Sequence, residues 1–170
     1  MKIVFLVTLL IAMSSAVSAA PPSELLVRSC LQDKSASPSI VVSDLDTSAI
    51  IEENDYSDGF NAPYFFKYKG GDVGYAESKH AKAIIFKGKL YRLSSAILLG
   101  DNHGSERDAF TPSLADWSMV EEGGQEYLCV SFNFDGLGQS GDFQYVHGGY
   151  LLNTRTQELY YSVRYIRPYK

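Results

Sequence analysis

Residues 83 to 93 constrain the fold more than any other stretch. Ala83-Ile84-Ile85-Phe86 and Lys89-Leu90-Tyr91-Arg92-Leu93 are two apolar-rich runs separated only by Lys87-Gly88. A two-residue connection allows only a tight turn, and the favoured hairpin turns need positive φ, which Gly88 accepts without steric cost. The spacing therefore predicts an antiparallel hairpin. Further strand chemistry lies at Ile40-Val41-Val42, at Tyr64 to Lys69 before Gly70-Gly71, and at Trp117 to Val120, Glu126 to Phe134, Phe143 to Leu152 and Glu158 to Ile166. Glu122-Gly123-Gly124, the glycine-rich segment 135–141 and Asn153-Thr154-Arg155-Thr156 punctuate the last four. Short strands with hairpin-length connections predict a mainly β fold, an antiparallel sheet or small barrel or sandwich, and not alternating βαβ units. One short helix is predicted near the N-terminus and packed on the sheet, an α+β arrangement. In Pro21-Pro22-Ser23-Glu24 followed by Leu25, Leu26, Val27, Cys30 and Leu31, the Ser23 hydroxyl is the natural cap of about three helical turns. The polar stretch from Asp33 to Ser39 reads as a linker.

The first nineteen residues have a different grammar. Lys2 precedes an apolar run from Ile3 to Met13 broken only by Thr8, and Val17-Ser18-Ala19 offers small or slender side chains where a signal peptidase reads. A membrane span needs about twenty apolar residues, more than this run supplies before Ser14-Ser15. The reading is a cleavable signal peptide over 1–19 and a single exported β-rich domain over 20–170, periplasmic or secreted. Its 151 residues are enough for one core. No cysteine sits at the cleavage point, so a bacterial lipid anchor there is not expected.

An oxidising destination makes Cys30 and Cys129 candidates for a disulfide. His80, His103 and His147 show no ligand-type spacing to either, so a metal pair is not expected. Period-two faces add geometry: Leu128, Val130, Phe132 and Phe134 point one way, Tyr127, Cys129 and Ser131 the other. A Cys30–Cys129 bond would then lay the helix over the second face, covering Tyr127 with Leu26 and Leu31. On the last strand Leu159, Tyr161, Val163 and Tyr165 form one side, Tyr160, Ser162 and Arg164 the other. The expectation is a half-covered sheet.

Removing Lys2 with the signal leaves fourteen basic against twenty acidic residues, a net charge of −6, which argues against nucleic acid as partner. Arg164, Arg167 and Lys170 alternate with tyrosines and read as a strand end. Gly136-Leu137-Gly138-Gln139-Ser140-Gly141 matches G-x-G-x-x-G, but a strand follows it where a dinucleotide site needs a helix, and only 29 residues remain. Gly138-Gln139-Ser140-Gly141-Asp142 lacks the last glycine of the hydrolase elbow and a properly placed histidine downstream. Glu52, Glu53, Asp55 and Asp58 before Gly59 fail the EF-hand pattern. No cofactor is expected. The connection from Gly100 to Asp116 holds Asp101, His103, Glu106, Arg107, Asp108 and Asp116, the best place for a titratable cluster. Twelve tyrosines and nine phenylalanines suit either a binding surface or a framework.

With no catalytic constellation intact, the leading expectation is a binding protein, an inhibitor or immunity-type domain engaging another exported protein such as a cell-wall hydrolase. Its contact would be the 135–145 loop, with Gln139, Ser140, Gly141 and Tyr145 as binding residues. Ser140-Gly141 with Tyr145 is similar, over six residues, to the serine-glycine loops with which small periplasmic lysozyme inhibitors enter an enzyme cleft. The alternatives are a small envelope or extracellular hydrolase using His103 and nearby carboxylates, and a carrier of a small apolar ligand.

Overall fold

The computed structural model describes residues 20–100, 112, 115–133 and 146–165. Two open sheets face one another as a sandwich, with one helix outside. In the six-stranded sheet the order is β1 (Ile40–Asp44), β8 (Asp116–Glu122), β9 (Gln125–Asn133), β10 (Val146–Asn153), β11 (Leu159–Tyr165) and β7 (Ile97–Leu98). The five-stranded sheet is a meander of β2 (Ile51–Ser57), β3 (Phe60–Tyr68), β4 (Gly71–Glu77), β5 (Lys82–Phe86) and β6 (Lys89–Arg92). All pairings are antiparallel except the short parallel contact of β7 with β11.

The β5–β6 hairpin turns at Lys87 and Gly88, with φ of 50° and 76°, as the two-residue spacing requires. Asp58-Gly59 and Lys69-Gly70 make the same positive-φ pair between β2 and β3 and between β3 and β4. At Asn153 the buried side-chain carbonyl accepts from the amides of Arg155 and Thr156, both at 3.0 Å, and so organises the β10–β11 turn. Asn153→Ala leaves both donors without that partner and is expected to cost about 2 kcal/mol, read as a lower midpoint in urea with unchanged slope.

The inner faces follow the period-two alternation. Leu128, Val130 and Phe132 from β9 and Leu159, Tyr161 and Val163 from β11 meet Phe66, Val73, Tyr75, Ile84 and Phe86 of the opposite sheet. Tyr150 stacks on Tyr161 with ring centroids 4.9 Å apart, and both rings are fully buried. Tyr75 and Tyr127 are buried too, so these four tyrosines serve as framework and not as a displayed surface.

The opposite face of the six-stranded sheet is covered by helix α1 (Glu24–Leu31). Ser23 caps it, its hydroxyl accepting from the Leu26 amide at 3.1 Å. The helix has eight residues, shorter than about three turns, because Asp33 just beyond its end enters the left-handed region at φ 49°. Leu26 and Cys30 pack with Val120, Tyr127, Leu151 and Tyr160, and Cys30 is joined to Cys129 by a disulfide. Leu31 does not cover Tyr127; it packs with Val27 and Leu99. Gly149 makes room for it, since a Cβ there would stand 3.0 Å from Leu31 Cδ2. The sheet is thus covered on both faces, and not half-covered, because the five-stranded sheet packs against its inner side.

Candidate functional site

Strand order brings the ends of two long connections together. Asp116 pairs with Ser131 across β8 and β9. Asn133 pairs with His147, and His147 with Arg164, across β9, β10 and β11. Gly100, at φ 66°, lies directly against the Arg164 guanidinium, which overlaps the space a Cβ would occupy. The chain therefore departs at Gly100 and re-emerges at Ala115-Asp116, and departs at Asn133 and re-emerges at Val146, all at one end of the six-stranded sheet. Binding loops are commonly clustered in this way at one end of a sandwich.

Two polar side chains at this end reach the helix. His147 is buried, and its Nδ1 lies 3.0 Å from the carbonyl oxygen of Leu31, in the last turn of α1. Arg164 reaches the other end of the helix, donating from Nη2 to Glu24 Oε2 at 3.0 Å. Both residues hold α1 against the sheet, and His147 thereby has a positioning contact that the sequence reading did not foresee. The alternation of His147, Gly149 and Leu151 along one face was the available signal.

Asp33 lies near Asp44 and Asp116, and Asp44 pairs in register with Ser118. Burial chiefly, then the charges of Asp44 and Asp116, raise the Asp33 carboxyl above its ordinary 3.8, while the Ser118 hydroxyl acts the other way. A raised folded-state value means that the fold disfavours the charged form. The resulting destabilisation is absent below pH 3.8 and grows as pH rises from there through the raised value. Asp33→Asn removes it and suits the left-handed backbone. Because the side chain is largely exposed and its charge screened, the variant is expected to be only slightly more stable at neutral pH. Melting curves of the two proteins should converge in acid.

Among the described residues, no group of three histidine, cysteine or carboxylate side chains could hold a metal ion. No described helix is long and apolar enough to cross a membrane. Cys30 and Cys129 are brought together as expected. His80 lies in the β4–β5 turn of the other sheet, remote in topology from His147. Gln139, Ser140, Gly141 and Tyr145, and His103 with Asp101, Glu106, Arg107 and Asp108, lie outside the described residues. Comparison with known proteins finds no matching family model, no matching curated sequence and no matching solved structure.

Proposed function

We propose that the chain is an exported binding protein, periplasmic or secreted after removal of residues 1–19, which engages another exported protein through its 135–145 loop. The partner class is a cell-wall hydrolase or similar enzyme, and the role is that of an inhibitor or immunity protein. One observation carries the reading: the loop is rooted in the Asn133–His147 register pair, between two central strands whose sheet is packed on both faces. Such a root holds a loop's ends at a fixed separation, which lowers the ordering cost of presenting it to a partner. The disulfide contributes by tying β9 to α1. Gln139, Ser140, Gly141 and Tyr145 supply the contact, the neighbouring glycines leaving Gln139 and Ser140 free to enter a cleft.

The test is affinity capture from the producer's envelope and surroundings, with the protein and Ser140→Trp side by side. A stoichiometric partner is expected with the first. A tryptophan at the contact should weaken its capture by about thirtyfold, the scale of a 2 kcal/mol loss at an interface centre. Equal capture by both proteins removes the loop from the account.

A second reading, a small hydrolase using His103 and nearby carboxylates, draws on the ends of the two connections, Gly100 and Asn133, lying at one end of the sheet. His103→Ala separates the two readings, abolishing turnover in an enzyme and leaving an inhibitor nearly unchanged.

A further inference from the structure

Each open sheet has two edges, and three of the four are short or capped. On β1 the Ile40 carbonyl accepts the Ser35 hydroxyl at 2.8 Å, and the Ile40 amide donates to the Ser37 carbonyl at 2.9 Å. The β7 edge is two residues long. The β6 edge has four residues, carries Lys89 and Arg92, and ends where the Ser95 hydroxyl donates to the Arg92 carbonyl at 2.7 Å. The β2 edge differs. It has seven residues, none of them buried. Among the described residues, its hydrogen bonds are those to β3 and one from the Tyr56 hydroxyl to Asp72.

Its chemistry is one-sided. Glu52, Glu53 and Asp55 lie on the strand and Asp58 in the following turn. None of the four is ion-paired among the described residues. At the start of the strand Ile50 is 50% exposed and Ile51 39%. At its far end Tyr56 is held by Asp72 at 3.0 Å and by the Phe65 ring at 5.6 Å, so the strand is anchored despite its exposure.

Charge on an open edge deters pairing with a like strand. A second copy of β2 would bring carboxylates against carboxylates, so self-pairing is disfavoured. A cationic strand meets the opposite field. We infer that β2 is a docking edge for a cationic extended segment of a partner protein, which adds as a sixth strand to this sheet. Backbone hydrogen bonds along β2 hold the segment, and lysine or arginine side chains brought into the field of Glu52, Glu53 and Asp55 select it. An apolar residue of the segment covers Ile50 and Ile51. This contact goes beyond the 135–145 loop and does not depend on it.

The probes are a short capped peptide alternating lysine with valine, its glutamate-for-lysine counterpart, and a lysine peptide N-methylated at alternate amides. The last keeps the charge but cannot extend a ladder. Binding is followed by amide shifts in isotope-labelled protein. The lysine peptide is expected to move the amides of residues 51–57 and the glutamate peptide to leave them unmoved. N-methylation and the double variant Glu53→Lys/Asp55→Lys should each weaken binding about tenfold, and added salt should weaken it further. Both substitutions are on exposed positions, and a thermal melt of the variant verifies its fold. Ser140→Trp should bind the lysine peptide as the parent does, which separates this contact from the loop. No shifts up to millimolar peptide, shifts confined elsewhere, or equal binding of the N-methylated peptide would each overturn the docking edge.

Discussion

Gly74→Ala is expected to be the most damaging single-methyl change in the five-stranded sheet, lowering stability by about 3 kcal/mol or more. Gly74 pairs with Phe65 in the β3–β4 ladder, and a Cβ there would overlap the Tyr64 carbonyl oxygen and Phe65 Cα and stand 2.6 Å from Phe65 Cβ. These are mainly backbone atoms, which cannot swing aside as a lysine tip could. A register shift between Asn61 and Tyr64 bends β3 over this point, and a glycine within a strand marks such a close approach. Gly88→Ala is the control: at φ 76° it meets nothing within 4 Å, so its cost is backbone strain alone, about 1 kcal/mol. For a domain of this size the melting temperature should fall by about 10 °C for Gly74→Ala and by about a third of that for the control. Similar falls for both would place the cost in the backbone and not in the approach of β3.

Replacing Cys30 and Cys129 together by alanine is expected to cost about 4 kcal/mol. The bond joins residues 99 apart, for which the loop-closure model alone gives about 4.7 kcal/mol and real proteins often less. Both cysteines are fully buried against Tyr127 and Leu151, so loss of the sulfur atoms also loosens packing under the helix. His147 on the Leu31 carbonyl and Arg164 on Glu24 then remain among the contacts that hold α1 to the sheet. Hydrogen exchange should therefore accelerate in α1 before it does in β9 and β10. Uniform acceleration would mean that helix and sandwich open as one unit.

The strand faces were legible wherever one side of a strand is aliphatic or aromatic and the other is not. Leu128 and Cys129 fall on opposite faces as their alternation requires, and so do Tyr161 and Tyr160. The Ser23 cap and the Lys87-Gly88 turn were legible because each is local chemistry. β2 and β4 were not foreseen. β2 is acidic and exposed, and β4 begins with Gly71 and contains Gly74, compositions that are depleted in strands. Their signal lay instead in the Asp58-Gly59 and Lys69-Gly70 turns, which repeat the pattern already read at Lys87-Gly88. The division into two sheets and the pairing of β1 with β8 depend on contacts between residues far apart in sequence, so no local pattern encodes them. The same holds for the candidate site. That Gly100 and Asn133 lie at one end follows from the order β9-β10-β11-β7, which brings Arg164 and His147 between them.

The Cys30–Cys129 bond also closes a covalent ring. The ring runs through β1 to β8 and thus contains the whole five-stranded sheet, whereas β10 and β11 hang outside it. A protease that makes one cut between residues 31 and 128 leaves a single molecule until a reductant is added. One cut between 134 and 145 has the opposite result: residues 146–170 are then held only by strand pairing and packing, and denaturant alone releases them. The two long connections, whose ends lie at the same end of the sheet, thus carry unequal risk from proteolysis, and gels run with and without reductant would tell which of them had been cut.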